Sequence, residues 1–204
     1  MKMNGWVAGA ALGLFLAAAP VSCIAAKAAV PADEQGTSAP PPQKRDGWEV
    51  QFEYLDARFF KKRDVNSYNI HFFQVASRHR ALTIHRGLTF SRPLGYTSEY
   101  GYPEDSQAVG LGPAILLRWT QKISGKLSAS WDASGSLMFY NRAHPAHGRA
   151  FGFLWRTGPR LIWNYDESSS FSLGWSFAHS SNGMGTHNPG YNGVGFSLGF
   201  SHAF

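Results

Sequence analysis

Between Phe177 and Gly195 the chain brings a histidine, a serine and several asparagines together across one tight reversal, FAHSSNGMGTHNPGYNGVG. A serine hydroxyl is a weak nucleophile until a base takes its proton, and a neutral imidazole is the usual base near neutral pH. Residues two apart on a strand share a face and lie about 7 Å apart along the chain. The ring of His179 can therefore lean toward Ser181 Oγ. Asn182 follows where the strand yields to the loop. Its amide, or the backbone N–H groups of Asn182 and Gly183, could stabilise the oxyanion of a tetrahedral intermediate. The chemistry implied is acyl transfer to serine.

The flanking segments fix how these groups are presented. Phe171, Leu173, Trp175 and Phe177 alternate with Ser170, Ser172, Gly174 and Ser176, the period of two of a strand with one apolar face. Continuing that parity puts His179 and Ser181 on the apolar face. On the return, Val194, Phe196, Leu198 and Phe200 alternate with Gly193, Gly195, Ser197 and Gly199, and the parity carried backward puts Asn192 there too. Polar groups on an apolar surface cost free energy unless paired, so their convergence points to a site for a greasy substrate.

The chain has 204 residues and a formal net charge of +6. Lys2, an uncharged Ala/Leu/Val-rich run and small residues near Ala28 read as a secretory signal peptide over 1–28. The single cysteine, Cys23, falls inside it, so the exported protein has no thiol, disulfide or cysteine metal ligand. Residues 29–46, rich in Ala and Pro, read as a disordered lead-in. Residues 47–204 are then one domain. For an exported chain the positive charge suits anionic lipid headgroups rather than nucleic acid.

Past the leader no apolar run approaches the roughly 20 residues of a membrane helix. Alternating segments follow one another instead. Trp48, Val50, Phe52 and Tyr54 oppose Glu49, Gln51 and Glu53, and the charged run from Lys61 to Asp64 reads as a loop. A second strand from about Ser67 to Ser77 slips in alternation near Phe72 and Phe73, where a bulge is expected. A third from about Leu82 to Phe90 ends in a long loop from Ser91 to Gln107. Five more strands complete about eight, joined alternately by longer loops and short turns. This pattern predicts an all-β fold, an eight-stranded antiparallel transmembrane β-barrel with Trp, Phe, Leu and Val toward lipid and Ser, Gly and Thr inside. A strand-built membrane spanner must close on itself so that every backbone amide is paired. Phe204 continues the apolar parity to the terminus and resembles the assembly signal of bacterial outer-membrane barrels. The competing fold is a soluble calyx of the lipocalin kind, with the apolar parity turned inward. With the N-terminus in the periplasm, the last hairpin's loop falls outside the cell, at the outer leaflet.

HSSNG followed by NPGYN, closing this pattern, resembles the lipid A 3-O-deacylases of the PagL family. Its hallmark, His-x-Ser-Asn on the penultimate strand and then an Asn-containing turn, is matched by His179, Ser181 and Asn182, with Asn188 and Gly190 in the turn. The resemblance implies an outer-membrane esterase that removes the ester-linked acyl chain at position 3 of lipid A, with Ser181 as nucleophile, His179 as base and no cofactor. Where the family pattern has a glutamate orienting the histidine, this chain has Asn192. An amide can accept from the imidazole N–H and fix the tautomer, but it brings no charge to stabilise imidazolium. Its partners would be lipopolysaccharide, membrane lipid and a second copy of the chain.

Other readings compete. A non-catalytic barrel of the OmpX kind would make His179 and Ser181 structural, and an outer-membrane phospholipase would use the same pair on glycerophospholipid. His144 and His147 sit in a Pro-broken loop without a third ligand and read as ordinary loop histidines rather than a metal pair. Gly193, Gly195 and Gly199 precede no helix and make room inside a narrow barrel rather than a nucleotide loop. Arg142 and Arg149, flanking an outer loop, are candidates to bind the lipid A phosphates, or are solvated loop charges.

Overall fold

The computed structural model describes residues 46–57, 63–98, 100–182 and 188–204; the leader, nearly all of the lead-in and Gly183 lie outside them. The strands are β1 (Gly47–Asp56), β2 (Arg63–His79), β3 (Leu82–Thr97), the two-residue β4 (Glu104–Asp105), β5 (Gly110–Lys122), β6 (Leu127–His144), β7 (Arg149–Asn164), β8 (Ser169–Ser181) and β9 (Tyr191–Ala203). The eight long strands form one antiparallel sheet in the order β2-β1-β9-β8-β7-β6-β5-β3, which β2 and β3 close into a ring. β4 adds only a short pairing to Tyr96 and Thr97.

The alternation decides which way each face points. Phe196 and Leu198 are 61% and 63% exposed, whereas Gln51 and His71 are fully buried. The apolar parity is outside and the polar parity inside, the reverse of a soluble calyx. At the end that carries the termini, Trp48, Trp119, Trp131, Trp163, Phe171 and Phe200 stand on this outer face as an aromatic girdle. Trp48 and Phe200 touch, ring centroids 5.5 Å apart.

Following hydrogen-bonded partners once round the ring from His202 leads through Trp48, Gln74, Arg86, Ile115, Gly135, Trp155 and His179 to Asn192. The walk returns to β9 displaced by ten residues (202 − 192 = 10). Such a stagger requires tilted strands. Ten residues span about 33 Å along a strand, or about 25 Å in height at the usual tilt, which is the height of a membrane barrel's apolar band. His202 and the pair His179/Asn192 therefore mark opposite rims.

Three local expectations are corrected. The bulge in β2 lies between Val75 and Ser77 rather than at Phe72 and Phe73. β2 already pairs from Arg63, where a charged loop was expected. β3 runs on through Pro93 to Thr97 instead of ending at Phe90, because its ladder to β5 stops at Ser91 while that to β2 continues. The Pro93 carbonyl accepts from Ala108 on the side where the β5 ladder has ended, so the missing proline N–H breaks no ladder bond.

The interior holds more than small residues. Arg118 Nη1 donates to Glu49 Oε2 at 2.6 Å and Arg118 Nε to Asp132 Oδ1 at 2.8 Å. Arg160 Nε donates to Asp132 Oδ2 at 2.8 Å, and Arg156 Nη1 to Glu53 Oε1 at 2.9 Å. His71 bridges Thr89 Oγ1 and Glu53. Three guanidinium groups thus meet three carboxylates, each charge paired and hydrogen-bonded as burial demands.

Candidate active site

β8 and β9 pair in the register His179↔Asn192 and Ser180↔Tyr191, and both strands carry their aromatic parity outward. His179, Ser181 and Asn192 accordingly lie half-buried on the outer face at the loop-end rim. His179 Nδ1 lies 2.7 Å from Asn192 Oδ1. Since an amide oxygen can only accept, Nδ1 carries the proton and Nε2 keeps its lone pair. The imidazole packs against Trp155 of β7, centroids 5.5 Å apart and planes inclined by 38°. Ser181 is the register partner of Phe153 one strand over. His179 and Ser181 are thus bordered by aromatic side chains on the outer face.

Asn182 departs from this face. Its side chain is 98% buried on the inner side, beside Gly148, where an added Cβ would approach its Oδ1 to 2.7 Å. Its backbone N–H donates to Asn188 Oδ1 at 3.0 Å, which ties the strand end to the returning segment. Gly190 is needed at the reversal, because a Cβ there would meet the Ser180 carbonyl at 2.7 Å and His179 Cε1 at 3.4 Å.

Beneath the hairpin lies a polar network that sequence reasoning missed. His144 was read as a loop histidine, but it ends β6 and is almost fully buried. Its Nε2 lies 2.9 Å from Tyr191 Oη and its Nδ1 accompanies the Ser106 carbonyl at 2.7 Å. Ser106 Oγ in turn accepts from the Ala146 N–H at 2.9 Å and meets Thr97 Oγ1 at 3.0 Å. The loops at this rim are thereby fastened to Tyr191, the neighbour of Asn192. The signal was available: His144 continues the inward parity of Ser136, Met138 and Tyr140.

Of the two loop arginines, Arg142 is half-exposed, pairs with Asp105 at 3.0 Å and donates to the Gln107 carbonyl. Arg149 is exposed at the start of β7, four residues beyond Phe153 and on the same outward parity. That places it about 13 Å along the strand past the level of Ser181. Among the described residues no cluster of three or more metal-ligating side chains occurs.

A closed barrel with an apolar outer band is the architecture of a membrane-spanning protein, and His179, Asn192 and Ser181 share the lipid-facing surface at one of its rims. A family model described as lipid A 3-O-deacylase (PagL) matches residues 67–201. The chain belongs to that family: it is a barrel of the bacterial outer membrane that hydrolyses the ester-linked 3-hydroxyacyl chain at position 3 of lipid A. Among solved structures it resembles the outer membrane enzyme PagL, at 12% identity over 74% of this chain and 97% of that one, with a TM-score of 0.52. It also resembles Neisserial surface protein A (9% identity, 78% and 96% coverage, TM-score 0.48) and the outer membrane protein AlkL (10%, 86% and 97%, 0.40). At these identities the first likeness speaks to the fold alone. No curated protein matches the chain.

Proposed function

We propose that the deacylation runs through an acyl-enzyme on Ser181, with His179 as general base and acid and Asn192 as the residue that orients it. The observation that carries this reading is the 2.7 Å contact between His179 Nδ1 and Asn192 Oδ1, which leaves Nε2 as the basic nitrogen on the face shared with Ser181. His179 Nε2 takes the Ser181 hydroxyl proton as Oγ attacks the ester carbonyl. The tetrahedral intermediate collapses as the imidazolium returns that proton to the departing 3-oxygen of the sugar. Water, deprotonated by His179, then attacks the acyl-serine and releases the 3-hydroxy fatty acid.

The oxyanion role falls to backbone N–H groups at the strand end, Asn182 and Gly183, because the Asn182 side chain points to the barrel interior. For Asn182 this requires exchanging the bond to Asn188 Oδ1 for one to the substrate. Arg149, beyond Ser181 on the same face, suits a lipid A phosphate; Arg142 would have to exchange Asp105 for it. The site is assigned to the outer leaflet, supported by the longer connections at its rim and the two-residue Arg80–Ala81 turn at the other.

The test is mass spectrometry of lipid A from cells expressing the wild type or Ser181→Ala. Wild type removes one 3-hydroxyacyl chain, and Ser181→Ala, folded in the membrane, removes none. An active Ser181→Ala variant would end the proposal.

A further inference from the structure

Contacts from β9, from the reversal before it and from β7 border the His179 ring. Asn192 Oδ1 takes the Nδ1 edge at 2.7 Å. The Gly190 backbone comes so near the opposite corner that a Cβ on that glycine would lie 3.4 Å from His179 Cε1. Trp155 lies against the ring itself, centroids 5.5 Å apart and planes inclined by 38°. The ladder sets this last contact. Trp155 is the direct register partner of His179, flanked by the pairs Phe153↔Ser181 and Thr157↔Phe177. Phe177 packs on Trp155 in turn, centroids 5.9 Å apart and planes at 56°. The indole is thus held from two outward positions of β8.

The surroundings of this histidine are short of negative charge. Among the described residues, the outward positions of β7, β8 and β9 carry Arg149 at the far end of β7 and no carboxylate. Asp56, on the outward parity of β1, is the register partner of Val194 and stands two strands from His179, about 10 Å across the sheet. A general base becomes a cation when it takes the serine proton, here in a half-buried position beside aromatic rings. Asn192 answers that cation with an amide dipole alone. The face of an indole attracts a cation within about 6 Å of its centroid, and does so better than tyrosine or phenylalanine. Trp155 meets that distance.

We propose that Trp155 is a positioning residue of the deacylation: its indole holds the His179 ring against the Asn192 amide and stabilises the imidazolium that forms there, supplying part of what a carboxylate would give. The inference rests on the assignment of His179 as general base to Ser181. Trp155 acts through the histidine and exchanges no proton. Its attraction for the ring grows only as the ring becomes charged, so it lowers the barrier of the chemical step rather than the free energy of substrate binding.

The experiment measures release of 3-hydroxy fatty acid from lipid A in mixed micelles under single-turnover conditions, which separate the chemical step from binding. The full barrel carries tryptophan or its mono-, di-, tri- or tetrafluorinated analogues at position 155 alone, with Trp155→Phe, Trp155→Leu and Ser181→Ala beside it. Fluorine drains electron density from the indole face and barely changes its shape, so the series moves the attraction and spares the packing. The single-turnover rate is expected to fall stepwise with fluorine number, to about one-fifth of wild type at the tetrafluoro analogue, at an unchanged half-saturating lipid A concentration. Trp155→Phe should keep part of the rate and Trp155→Leu should lose about five- to tenfold, each barrel shown to be folded by its heat-modifiable gel mobility. A series that shifts half-saturation and leaves the rate alone would mean that the indole serves substrate binding, and would overturn the proposal. A flat series with an inactive Ser181→Ala overturns this inference alone; an active Ser181→Ala removes the general-base reading and this inference with it.

Discussion

Replacing Asn192 by aspartate changes almost nothing in shape and one thing in charge. The Asn192 oxygen sits 2.7 Å from His179 Nδ1, already at charge-assisted distance, so an aspartate in the same rotamer needs no rearrangement. In the proposed mechanism the imidazole enters neutral and carries the serine's proton in the transition state. A hydrogen bond between neutral groups contributes about 0.5–1.5 kcal/mol and one to a charged group about 1.5–3 kcal/mol, so the carboxylate stabilises the transition state by roughly 1 kcal/mol more. His179 is half-buried rather than enclosed, which argues for the lower end of that range. A gain of 1 kcal/mol is about fivefold in rate. Asn192→Glu, one methylene longer, should gain less unless the hairpin adjusts. Asn192→Ala leaves the Nδ1 proton without its acceptor and should cost at least about tenfold. The assay is the initial rate of 3-hydroxy fatty acid release from lipid A in mixed micelles, with each variant shown to be folded by its heat-modifiable gel mobility. If Asn192→Ala is as fast as wild type and Asn192→Asp is no faster, the amide does not orient the catalytic histidine and the reasoning fails.

Three further outcomes follow from the structure. Tyr191→Phe removes the hydroxyl beside His144 Nε2 and strands a buried ring nitrogen, so unfolding in urea should occur at lower concentration by an equivalent of about 1–3 kcal/mol. Arg118→Met leaves Glu49 and Asp132 facing each other without their shared guanidinium, and should destabilise the barrel by about 3–5 kcal/mol in the same titration. In the turn between β7 and β8, the Ser168 and Ser169 N–H groups donate to Asp166 and hold its carboxyl below the usual range. A depressed folded value means stability that is present above the unfolded value and lost as pH falls through the folded one. Asp166→Asn should therefore flatten the acid limb of the stability profile, and an unchanged limb would contradict the turn's role.

Much of this architecture was legible in the alternation alone. Parity fixed the outward face, hence the shared face of His179, Ser181 and Asn192, because a strand leaves a side chain only two directions to point. Register was not legible, and the interior depends on it. Glu49 meets Arg118 across 69 positions, and Gln51 meets Arg156 across 105. The inward parity of β1, Glu49, Gln51 and Glu53, showed that charge faces inside but not which guanidinium answers it. His144 was misread for a different reason: HPAH looks like a loop in isolation, although His144 continues the inward parity of Ser136, Met138 and Tyr140, and the pairing of β6 with β7 carries the strand that far. Pro93 and Gly95 resembled loop punctuation because sequence does not reveal on which side of a strand the neighbour has already ended.

The charged layer across the barrel has a consequence for the cell as well as for the fold. An outer membrane protects by refusing passage to small toxic solutes, and every barrel placed in it is a potential leak. Here Arg118, Glu49, Asp132, Arg160, Arg156 and Glu53 cross-link the lumen from wall to wall with their charges cancelled against one another. At that layer an ion entering from either mouth meets charges already answered by one another rather than a net field to draw it in. The cell can thus hold many copies of a lipid-editing enzyme in its barrier without making that barrier more permeable.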